Sequence, residues 1–317
     1  MKNKSVYIRD IKSGAKIGDY FLVAEKNLAF SQKGIPYLNL RLRDKTGEVD
    51  GKVWDNALEW DKAFKKGDII LIEARAVNYK NGLQVSITSL KIAGEEEINL
   101  GDYTPAAKRD VEEMFGELMN IAESLKNPHL RALLQAFFTD EAIVQGLKMA
   151  PAAKGFHHVY LGGLLEHTLS VTRLLDGVCK HYPGVDRDLA LTGGILHDIG
   201  KIDEFSYGRV VDYTDAGRLV GHIVMGVEML DKKVSALGDF PPETAMKLRH
   251  ILLSHHGDLA YGSPKRPKIT EALLVHHVDD LDAKVNAFQE FINAAPDEEA
   301  NWTPFHRLLE RYIYKSK

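Results

Sequence analysis

The feature that most constrains the fold is a series of histidines and aspartates, each set in or at the end of an apolar helical segment. His167 lies within the apolar stretch 164–169, and the pair His197-Asp198 closes the apolar stretch 190–196. A buried imidazole needs a polar partner, and a buried carboxylate beside it is costly without a compensating charge. A divalent cation supplies that charge, and packed helices can direct several ligands at one centre. The second half is therefore predicted to be a helical bundle around a metal site.

Five signals of this kind follow one another along the second half of the chain. A single histidine on an apolar helix is more often a hydrogen-bonded core residue than a ligand, so none of them decides alone. The pair His197-Asp198 carries more weight, because Gly200 and Lys201 follow it and stop the helix. In chain order the signals are Glu166-His167, His197-Asp198-Ile199-Gly200-Lys201, Gly221-His222, His255-His256-Gly257 and Val278-Asp279-Asp280-Leu281-Asp282.

Cysteine usage limits the kinds of metal site that the chain can build. Its only cysteine is Cys179, which can form no internal disulfide and cannot supply a thiolate cage. Any metal must therefore be held by imidazoles and carboxylates, and a reducing cytoplasm fits this composition. No stretch approaches the roughly 20 apolar residues of a bilayer span, so no membrane partner is expected.

The first third of the chain shows β patterning instead. The segment 37–43 alternates strictly, which places Leu38, Leu40 and Leu42 on one face. Five strands with one helix between the third and the fourth is the order of an OB-fold barrel. The predicted elements after a first strand are strands at 37–43 and 48–54, a helix that ends near Phe64, strands at 69–77 and 83–91, and a hairpin turn at Asn81-Gly82.

The predicted fold class is multidomain α and β, with a five-stranded OB-fold β-barrel in residues 1–94. Residues 95–150 are predicted to form a linker and connecting helices, and residues 151–317 an all-α domain. Residues 1–94 contain 17 basic and 11 acidic side chains, whereas the remainder carries a balance of −10. A basic small domain beside an acidic large one suggests that the first binds a polyanion. Chance surface charge is the other interpretation, and the charges alone do not choose between them.

The order H…HD…H…HH…D resembles the HD superfamily of metal-dependent phosphohydrolases, an all-helical fold, over about residues 157–284. The resemblance implies two metals, with Asp198 as a bridging ligand, and Asp282 is predicted to support a ligand from the next helical turn. Mixed imidazole and carboxylate ligands suit Mn²⁺, with Fe²⁺, Mg²⁺ and Zn²⁺ as alternatives. The implied ligands are His167, His197, Asp198, His222, His255, His256 and Asp279.

The chemistry expected of such a site is attack of a metal-activated water on a phosphodiester. Asp198 and Lys201 are the predicted catalytic residues. Lys201 follows Asp198 by three residues and is expected to reach the phosphate, where it offsets developing negative charge. The alternative role of Lys201 is that of a solvated lysine favoured by the dipole at a helix end.

The whole architecture, an OB-like domain followed by connecting helices and an HD domain, resembles the YhaM-type 3′→5′ exoribonucleases over nearly the full chain. The stretches 157–167, 253–257 and 262–264 also resemble that family locally. The resemblance implies Mn²⁺-dependent removal of nucleotides from the 3′ ends of single-stranded RNA in the cytoplasm. It also implies that some members degrade single-stranded DNA.

Nucleic acid is predicted to be held in two places. An OB barrel binds single strands through a basic groove and aromatic stacking platforms, although Trp54 could equally cover an apolar edge. The basic loop at Lys265 could steer a strand to the metals or be a plain solvated loop. The candidate substrate-binding residues are Tyr37, Arg41, Lys52 and Trp54 in the barrel and His157, His158, Lys265 and Arg266 in the helical part.

Two rival functions stay open on the sequence. The first is an HD phosphohydrolase of a mononucleotide or a cyclic dinucleotide, against which the basic barrel counts. The second is a non-catalytic nucleic-acid-binding protein with a structural metal, against which the full set of candidate ligands and Lys201 count. The sequence also leaves open whether the chain forms a homo-oligomer.

Overall fold

The computed structural model describes residues 4–79, 82–94, 100–103, 106–107, 109–153, 160–207, 211–293, 295, 300–307 and 309–315. The predicted substrate-binding residues His157 and His158 lie outside these ranges, as does Asn81 of the predicted hairpin turn. The chain divides into two units, residues 1–106 with 207–211 and residues 107–206 with 212–317. The helices of 111–149, treated above as connecting helices, fall in the second unit.

The first unit contains a closed barrel of five strands. The strands are β1 (Lys16–Phe30), β2 (Pro36–Asp44), β3 (Gly47–Val53), β4 (Ile69–Tyr79) and β5 (Gly82–Ile92). Their order around the barrel is β1-β2-β3-β5-β4, with β3 and β5 parallel and the other neighbours antiparallel. A short helix, α1 (Ala57–Ala63), lies between β3 and β4 in the chain. The predicted OB-fold barrel is thereby confirmed.

Alternation of apolar and polar residues explains how the strands close around a core. On β2, Leu38, Leu40 and Leu42 are buried, whereas Arg41 between two of them is exposed. Successive side chains of a strand point to opposite faces, so one row of each strand fills the barrel and the other row faces outward. The predicted face of β2 is confirmed, and it leaves Tyr37 and Arg41 on the outer surface side.

Outside the barrel, the described regular structure is mostly helical and includes a two-stranded sheet of β6 (Phe205–Tyr207) and β7 (Val211–Tyr213). Within the described residues, none of the helices combines the length and the apolar character that crossing a bilayer requires. The helices are α2 (Val111–Glu123), α3 (Pro128–Phe138), α4 (Glu141–Met149), α5 (Gly163–His181), α6 (Arg187–Leu196), α7 (Lys201–Glu204), α8 (Asp215–Leu219), α9 (His222–Leu237), α10 (Pro242–Ser254) and α11 (Thr270–Asn293).

Helix boundaries follow from local chemistry. The side chains of Asp110, Asn127 and Asp140 each accept hydrogen bonds from backbone N–H groups of the first turn of α2, α3 and α4. Such caps satisfy donors that have no partner within the helix. A break at Gly221 separates α8 from α9 and makes His222 the first residue of α9.

Helix α6 lies at the centre of the helical bundle. Its residues 188–196 are all buried, and it packs against α5, α10 and α11. A Cβ atom on Gly194 would lie 2.4 Å from Cδ1 of Leu175, so glycine is needed where α6 and α5 approach each other. This close packing carries the residues that follow α6, His197 and Asp198, into the interior of the bundle.

Candidate metal centre

The candidate ligands come together from five separate segments of the bundle. His167 is on α5 and Asp279 on α11, whereas the other ligands directly follow α6, begin α9 or directly follow α10. Helix ends can present side chains to a common point from several directions, which one helix face cannot do. His167, His197 and His255 are fully buried, and Asp198 is 2% exposed. The bundle thus places the polar groups that the sequence singled out in one buried region.

All five candidate imidazoles use Nδ1 in the same way. Each Nδ1 lies within hydrogen-bond distance of an oxygen that can only accept, a backbone carbonyl or an ionised carboxylate. In the neutral ring the proton is therefore assigned to Nδ1, which leaves the lone pair of Nε2 for a metal. The pairs are His167–Asp282 at 2.8 Å, His197–Gly194 at 2.8 Å, His222–Glu204 at 3.0 Å, His255–Leu252 at 2.8 Å and His256–Tyr261 at 2.9 Å.

Several buried polar atoms in this region lack hydrogen bonds. Within the described part of the chain, Nε2 of His197, His222 and His255 and Oδ1 of Asp198 have no hydrogen-bond partner. Buried polar atoms are nearly always paired, and leaving four together would be costly. Divalent cations bound among these atoms would satisfy all four, because neutral imidazoles and a carboxylate offer lone pairs. The residues present therefore fit a bound metal.

The ligand atoms form two groups on either side of Asp198. One group contains His167, His197 and Asp279, and the other contains His222, His255 and His256; within each group the ligand atoms lie within 4.8 Å of one another. Each group could hold a divalent cation.

The Asp198 carboxylate faces both groups with different oxygens. Its Oδ1 is 3.5 Å from Nε2 of both His222 and His255. Its Oδ2 is 3.3 Å from Nε2 of His197. A carboxylate placed in this way can offer one oxygen to each ligand group, which is the arrangement expected of a bridging ligand.

The charges in this buried space are balanced by nearby side chains. Burial disfavours the ionised form of Asp198, but Lys201 and His197 hold the pKa of Asp198 well below its ordinary value. Burial also disfavours the charged form of His197, but Asp198 and Asp279 raise its pKa to about 10. Binding of a cation would replace the proton on His197, because a ligating imidazole must be neutral. Metal and protons therefore compete for this site.

Lys201 lies beside the carboxylate that the two ligand groups share. Its Nζ is 2.6 Å from Oδ2 of Asp198, and little of its side chain is exposed. The alternative role as a solvated lysine at a helix end does not describe this geometry. The ammonium group instead lies at the edge of the metal centre.

Three residues outside the ligand set hold it in place. Asp282, predicted to support a ligand, bonds to His167. Glu204 accepts hydrogen bonds from both the backbone N–H and the Nδ1 of His222 at 3.0 Å, and no sequence motif marked this residue. Its position, six residues after Asp198 and at the end of α7, became apparent only with the fold.

His276 is the third supporting residue and also escaped the sequence analysis. Its Nδ1 donates to the backbone oxygen of His255 at 2.7 Å. Its ring lies against Gly257, where a Cβ atom would be 2.2 Å from the ring and where φ is +81°. The glycine of the His255-His256-Gly257 motif is therefore needed both for its backbone conformation and for this contact. The spacing between His276 and Asp279, one helical turn on α11, was the available signal.

The predicted substrate-binding residues fall into two groups of different character. In the helical part, Lys265 and Arg266 are exposed, and Nη2 of Arg266 is 3.0 Å from Oδ2 of Asp258. These two residues follow the His255-His256 pair by nine and ten positions. His157 and His158 cannot be placed, since they lie outside the described residues.

On the barrel, two aromatic residues form a stack on the outer face. The rings of Tyr37 and Trp54 are stacked with centroids 4.6 Å apart, and Nζ of Lys52 is 4.7 Å from the centroid of Tyr37. Arg41 pairs with Asp50 at 2.9 Å. The aromatic pair and Lys52 match the composition of a surface that binds single strands, whereas the charge of Arg41 is already shared with a carboxylate.

Known proteins resemble both parts of the chain. The HD domain family matches residues 164–284, and an OB-fold nucleic acid binding domain matches residues 23–93. Over 303 residues the chain is 32% identical to the 3′-5′ exoribonuclease YhaM of Geobacillus sp. (strain WCH70), an alignment that covers 95% of this chain and 92% of that relative.

Solved structures show a similarity of smaller extent. The second OB-fold domain of replication protein A from Methanococcus maripaludis is 22% identical with a TM-score of 0.24, and the match covers 28% of this chain and 95% of that chain. A single-stranded DNA binding protein from Thermus aquaticus is 19% identical with a TM-score of 0.24, covering 25% and 40% of the two chains.

Proposed function

The chain belongs to the family of the 3′-5′ exoribonuclease YhaM, and from this premise we propose that it is a metal-dependent hydrolase that removes nucleotides from the 3′ ends of single-stranded RNA. The observation that carries the proposal is the arrangement around the carboxylate of Asp198 of three buried Nε2 atoms, those of His197, His222 and His255, which have no hydrogen-bond partner among the described residues. HD domains are metal-dependent, and a phosphodiester is the bond that such a centre is suited to hydrolyse.

We propose that two divalent ions bind, one in each ligand group, with Asp198 shared between them. Ions held there would lower the pKa of a water molecule and neutralise charge on the phosphate. The side chains His167, His197 and Asp279 would hold one ion, and His222, His255 and His256 the other. Imidazoles mixed with carboxylates support Mn²⁺ as the native ion, ahead of Fe²⁺, Mg²⁺ and Zn²⁺.

Lys201 is proposed to stabilise the phosphate during the reaction. Its ammonium group lies 2.6 Å from the shared carboxylate and is largely shielded from solvent. A cation fixed there costs little reorganisation when negative charge develops on the phosphate oxygens. Its pairing with Asp198 also keeps the lysine protonated, because Asp198 raises the pKa of Lys201 in spite of burial.

The barrel is proposed to hold the strand upstream of the reacting end. The stacked Tyr37–Trp54 pair and Lys52 offer an aromatic face and a cation, and stacking accepts any base. RNA is proposed as the main substrate because the relative that aligns over 92% of its length is named an exoribonuclease, with single-stranded DNA as a second substrate. A cytoplasmic location is proposed from the single, buried thiol Cys179.

A nuclease assay with end-labelled substrates tests this function. Metal-loaded protein is incubated with 5′-labelled RNA, with the same RNA blocked at its 3′ end, and with a panel of mononucleotides and cyclic dinucleotides. We expect a ladder of shortened RNA from the free 3′ end, no ladder from the blocked RNA, and no ladder when a chelator is present. Hydrolysis of a nucleotide from the panel without shortening of RNA would support the phosphohydrolase alternative. Binding of RNA without any hydrolysis would support the non-catalytic alternative.

A further inference from the structure

A short turn follows the candidate metal ligands His255 and His256 after one intervening glycine, Gly257. It covers residues 258–262 and is named the rim turn. The carboxylate of Asp258 accepts a hydrogen bond from the backbone N–H of Ala260 at 3.2 Å, and the carbonyl of Asp258 accepts one from the N–H of Tyr261 at 3.0 Å. These bonds within the turn fix its conformation, so the side chains that it presents have a defined direction.

The rim turn is bonded to the metal centre itself. The Nδ1 of His256 donates to the backbone oxygen of Tyr261 at 2.9 Å, and His256 belongs to the second ligand group. One imidazole therefore links Tyr261 to that group. A bond of this kind holds Tyr261 close to the place where a phosphate would be cleaved.

Two side chains of the rim turn, Leu259 and Tyr261, are exposed although one is apolar and the other aromatic. Tyr261 is 75% exposed, which makes it the most exposed aromatic side chain among the residues that the structure describes, and Leu259 is 62% exposed. An aromatic ring presented to solvent beside a phosphate-cleaving centre is suited to stack on a nucleobase, because every base has a π face.

The charges near the rim turn match a nucleic-acid strand. Lys265 and Arg266 follow it within five residues, and both are exposed. Arg266 pairs with Asp258 at 3.0 Å, which neutralises the carboxylate of the rim turn. A negatively charged strand would therefore meet an aromatic ring, a neutralised acid and the ammonium group of Lys265. This combination of ring and cation is the one that binds single strands without sequence preference.

We propose that Tyr261 stacks on the base of the 3′-terminal nucleotide and so positions the last phosphodiester at the metal centre, while Lys265 contacts the phosphate that precedes it. The inference rests on the proposed exoribonuclease function. It makes the ring of Tyr261 a determinant of substrate choice: an end with a base is a good substrate, and an end without one is a poor substrate. The identity of the base is not read, because stacking is indifferent to it.

Two RNA ends and three variants test the proposal. The RNAs differ only in their last residue, which carries either adenine or no base. The variants are Tyr261→Ala, Tyr261→Phe, which keeps the ring, and Tyr182→Ala, which removes another exposed tyrosine, at the end of α5. The first removal step is measured under single-turnover conditions as kcat/KM, and metal content is measured for each protein.

We expect Tyr261→Ala to lower kcat/KM on the adenine end by roughly 5- to 150-fold, the range that loss of one base stack gives. Tyr261→Phe and Tyr182→Ala should stay near the wild-type rate. On the RNA with an abasic end, the wild-type protein and Tyr261→Ala should have the same low kcat/KM. Without a terminal base no stack can form in either protein. Metal content should not change, since the bond from His256 reaches a backbone oxygen that alanine keeps.

An optical signal tests the stack without relying on turnover. When the terminal base is 2-aminopurine, stacking on Tyr261 should quench its fluorescence on mixing, before release of the nucleotide restores it. The quench should be present in Tyr261→Phe and absent in Tyr261→Ala.

Three results would overturn the proposal. Equal rates of Tyr261→Ala and wild type on the adenine end would show that the ring touches no base. Loss of metal in Tyr261→Ala would make the residue a support for His256 instead. If the wild-type protein shortens neither RNA, the exoribonuclease function fails together with the inference, and that outcome is recognised by the inactive wild type rather than by the variant.

Discussion

The barrel and the helical bundle differ in where their polar groups lie and in whether these groups are paired. On the barrel, exposed charges are matched on the surface, as in the pair of Arg41 with Asp50. In the bundle, Nε2 of His197 and His255 are buried and have no hydrogen-bond partner in the described part of the chain. A buried polar atom without a partner destabilises the fold and therefore indicates a bound ligand. A surface charge that is paired with another side chain gives no such indication. The metal centre can therefore be recognised from its own chemistry, while the barrel shows its role mainly through the exposed stack of Tyr37 and Trp54.

Substitutions in the bundle are therefore expected to have large effects, and substitutions on the barrel small ones. The largest effect is expected at Asp198. In Asp198→Ala both ligand groups lose their shared carboxylate, so most of the bound metal and all measurable nuclease activity should be lost. Metal content by mass spectrometry checks this, with Asp280→Ala as the control, because Asp280 bonds to Lys284 and not to a candidate ligand. Full metal occupancy in Asp198→Ala would contradict the bridging role.

The second largest effect is expected at Lys201. Lys201→Ala should lower kcat by about 10²–10³, the usual result of removing one preorganised charge contact, with little change in KM. A group that acts mainly in the transition state changes kcat in this way. Single-turnover cleavage at saturating RNA and Mn²⁺ is the measurement.

The position of Lys201 next to Asp198 calls for a control on metal content. A wild-type rate in Lys201→Ala would show that the lysine only balances charge at a helix end. A fall in metal content would show that it supports Asp198, with which it makes a 2.6 Å contact, and the catalytic assignment would then be wrong.

A smaller effect is expected at His276, which holds the backbone of a ligand rather than a metal. His276→Leu removes the donor to His255 and should weaken metal binding about 10- to 100-fold, as loss of a supporting hydrogen bond does. His276→Asn should restore part of the affinity, because its amide can donate to the same oxygen. His277→Leu is the matched control on the exposed side of α11. Equal metal affinity in all three variants would limit His276 to packing.

The difference between the two units also explains how much the sequence could predict. The barrel followed from local rules, because alternation on β2 fixes which residues face the core. The predicted ligands lie in or at the ends of apolar helical segments, and the full set was inferred from the resemblance to the HD superfamily. Glu204 and His276 were missed, because their partners His222 and His255 lie 18 and 21 residues away. Such contacts arise from the packing of helices; the only local signal was the spacing of His276 from Asp279 by one helical turn, and Glu204 had none.

Among barrel residues, Trp54 is expected to matter most. Trp54→Ala should weaken binding of a long single strand by about 5- to 10-fold, near the low end for loss of one stacking residue, because Tyr37 remains as a platform. Fluorescence anisotropy with strands of 20 and of 3 nucleotides measures this, and only the long strand should be affected. Equal weakening of both strands would mean that Trp54 serves the reacting end or the fold of the barrel.

The smallest effect is expected at Arg41, and it separates two origins of binding. Arg41 pairs with Asp50 at 2.9 Å and lies 3.8 Å from Glu48, and an exposed pair of this kind is worth roughly 0–1 kcal/mol. Arg41→Ala should therefore weaken binding of a long strand by less than about 5-fold. Part of this weakening would come from the carboxylate of Asp50, which repels phosphate once Arg41 is removed.

The double variant Arg41→Ala with Asp50→Ala shows whether Arg41 acts by neutralising Asp50 or by contacting a phosphate directly. If Arg41 acts only by neutralising Asp50, the double variant should bind as well as wild type, because attraction and repulsion are removed together. If Arg41 contacts a phosphate directly, the double variant should stay weak, and the dependence of the affinity on salt should become less steep by about one counterion. A loss in Arg41→Ala as large as that in Asp198→Ala would contradict the whole comparison, because the barrel would then contain a charge as indispensable as the shared carboxylate of the metal centre.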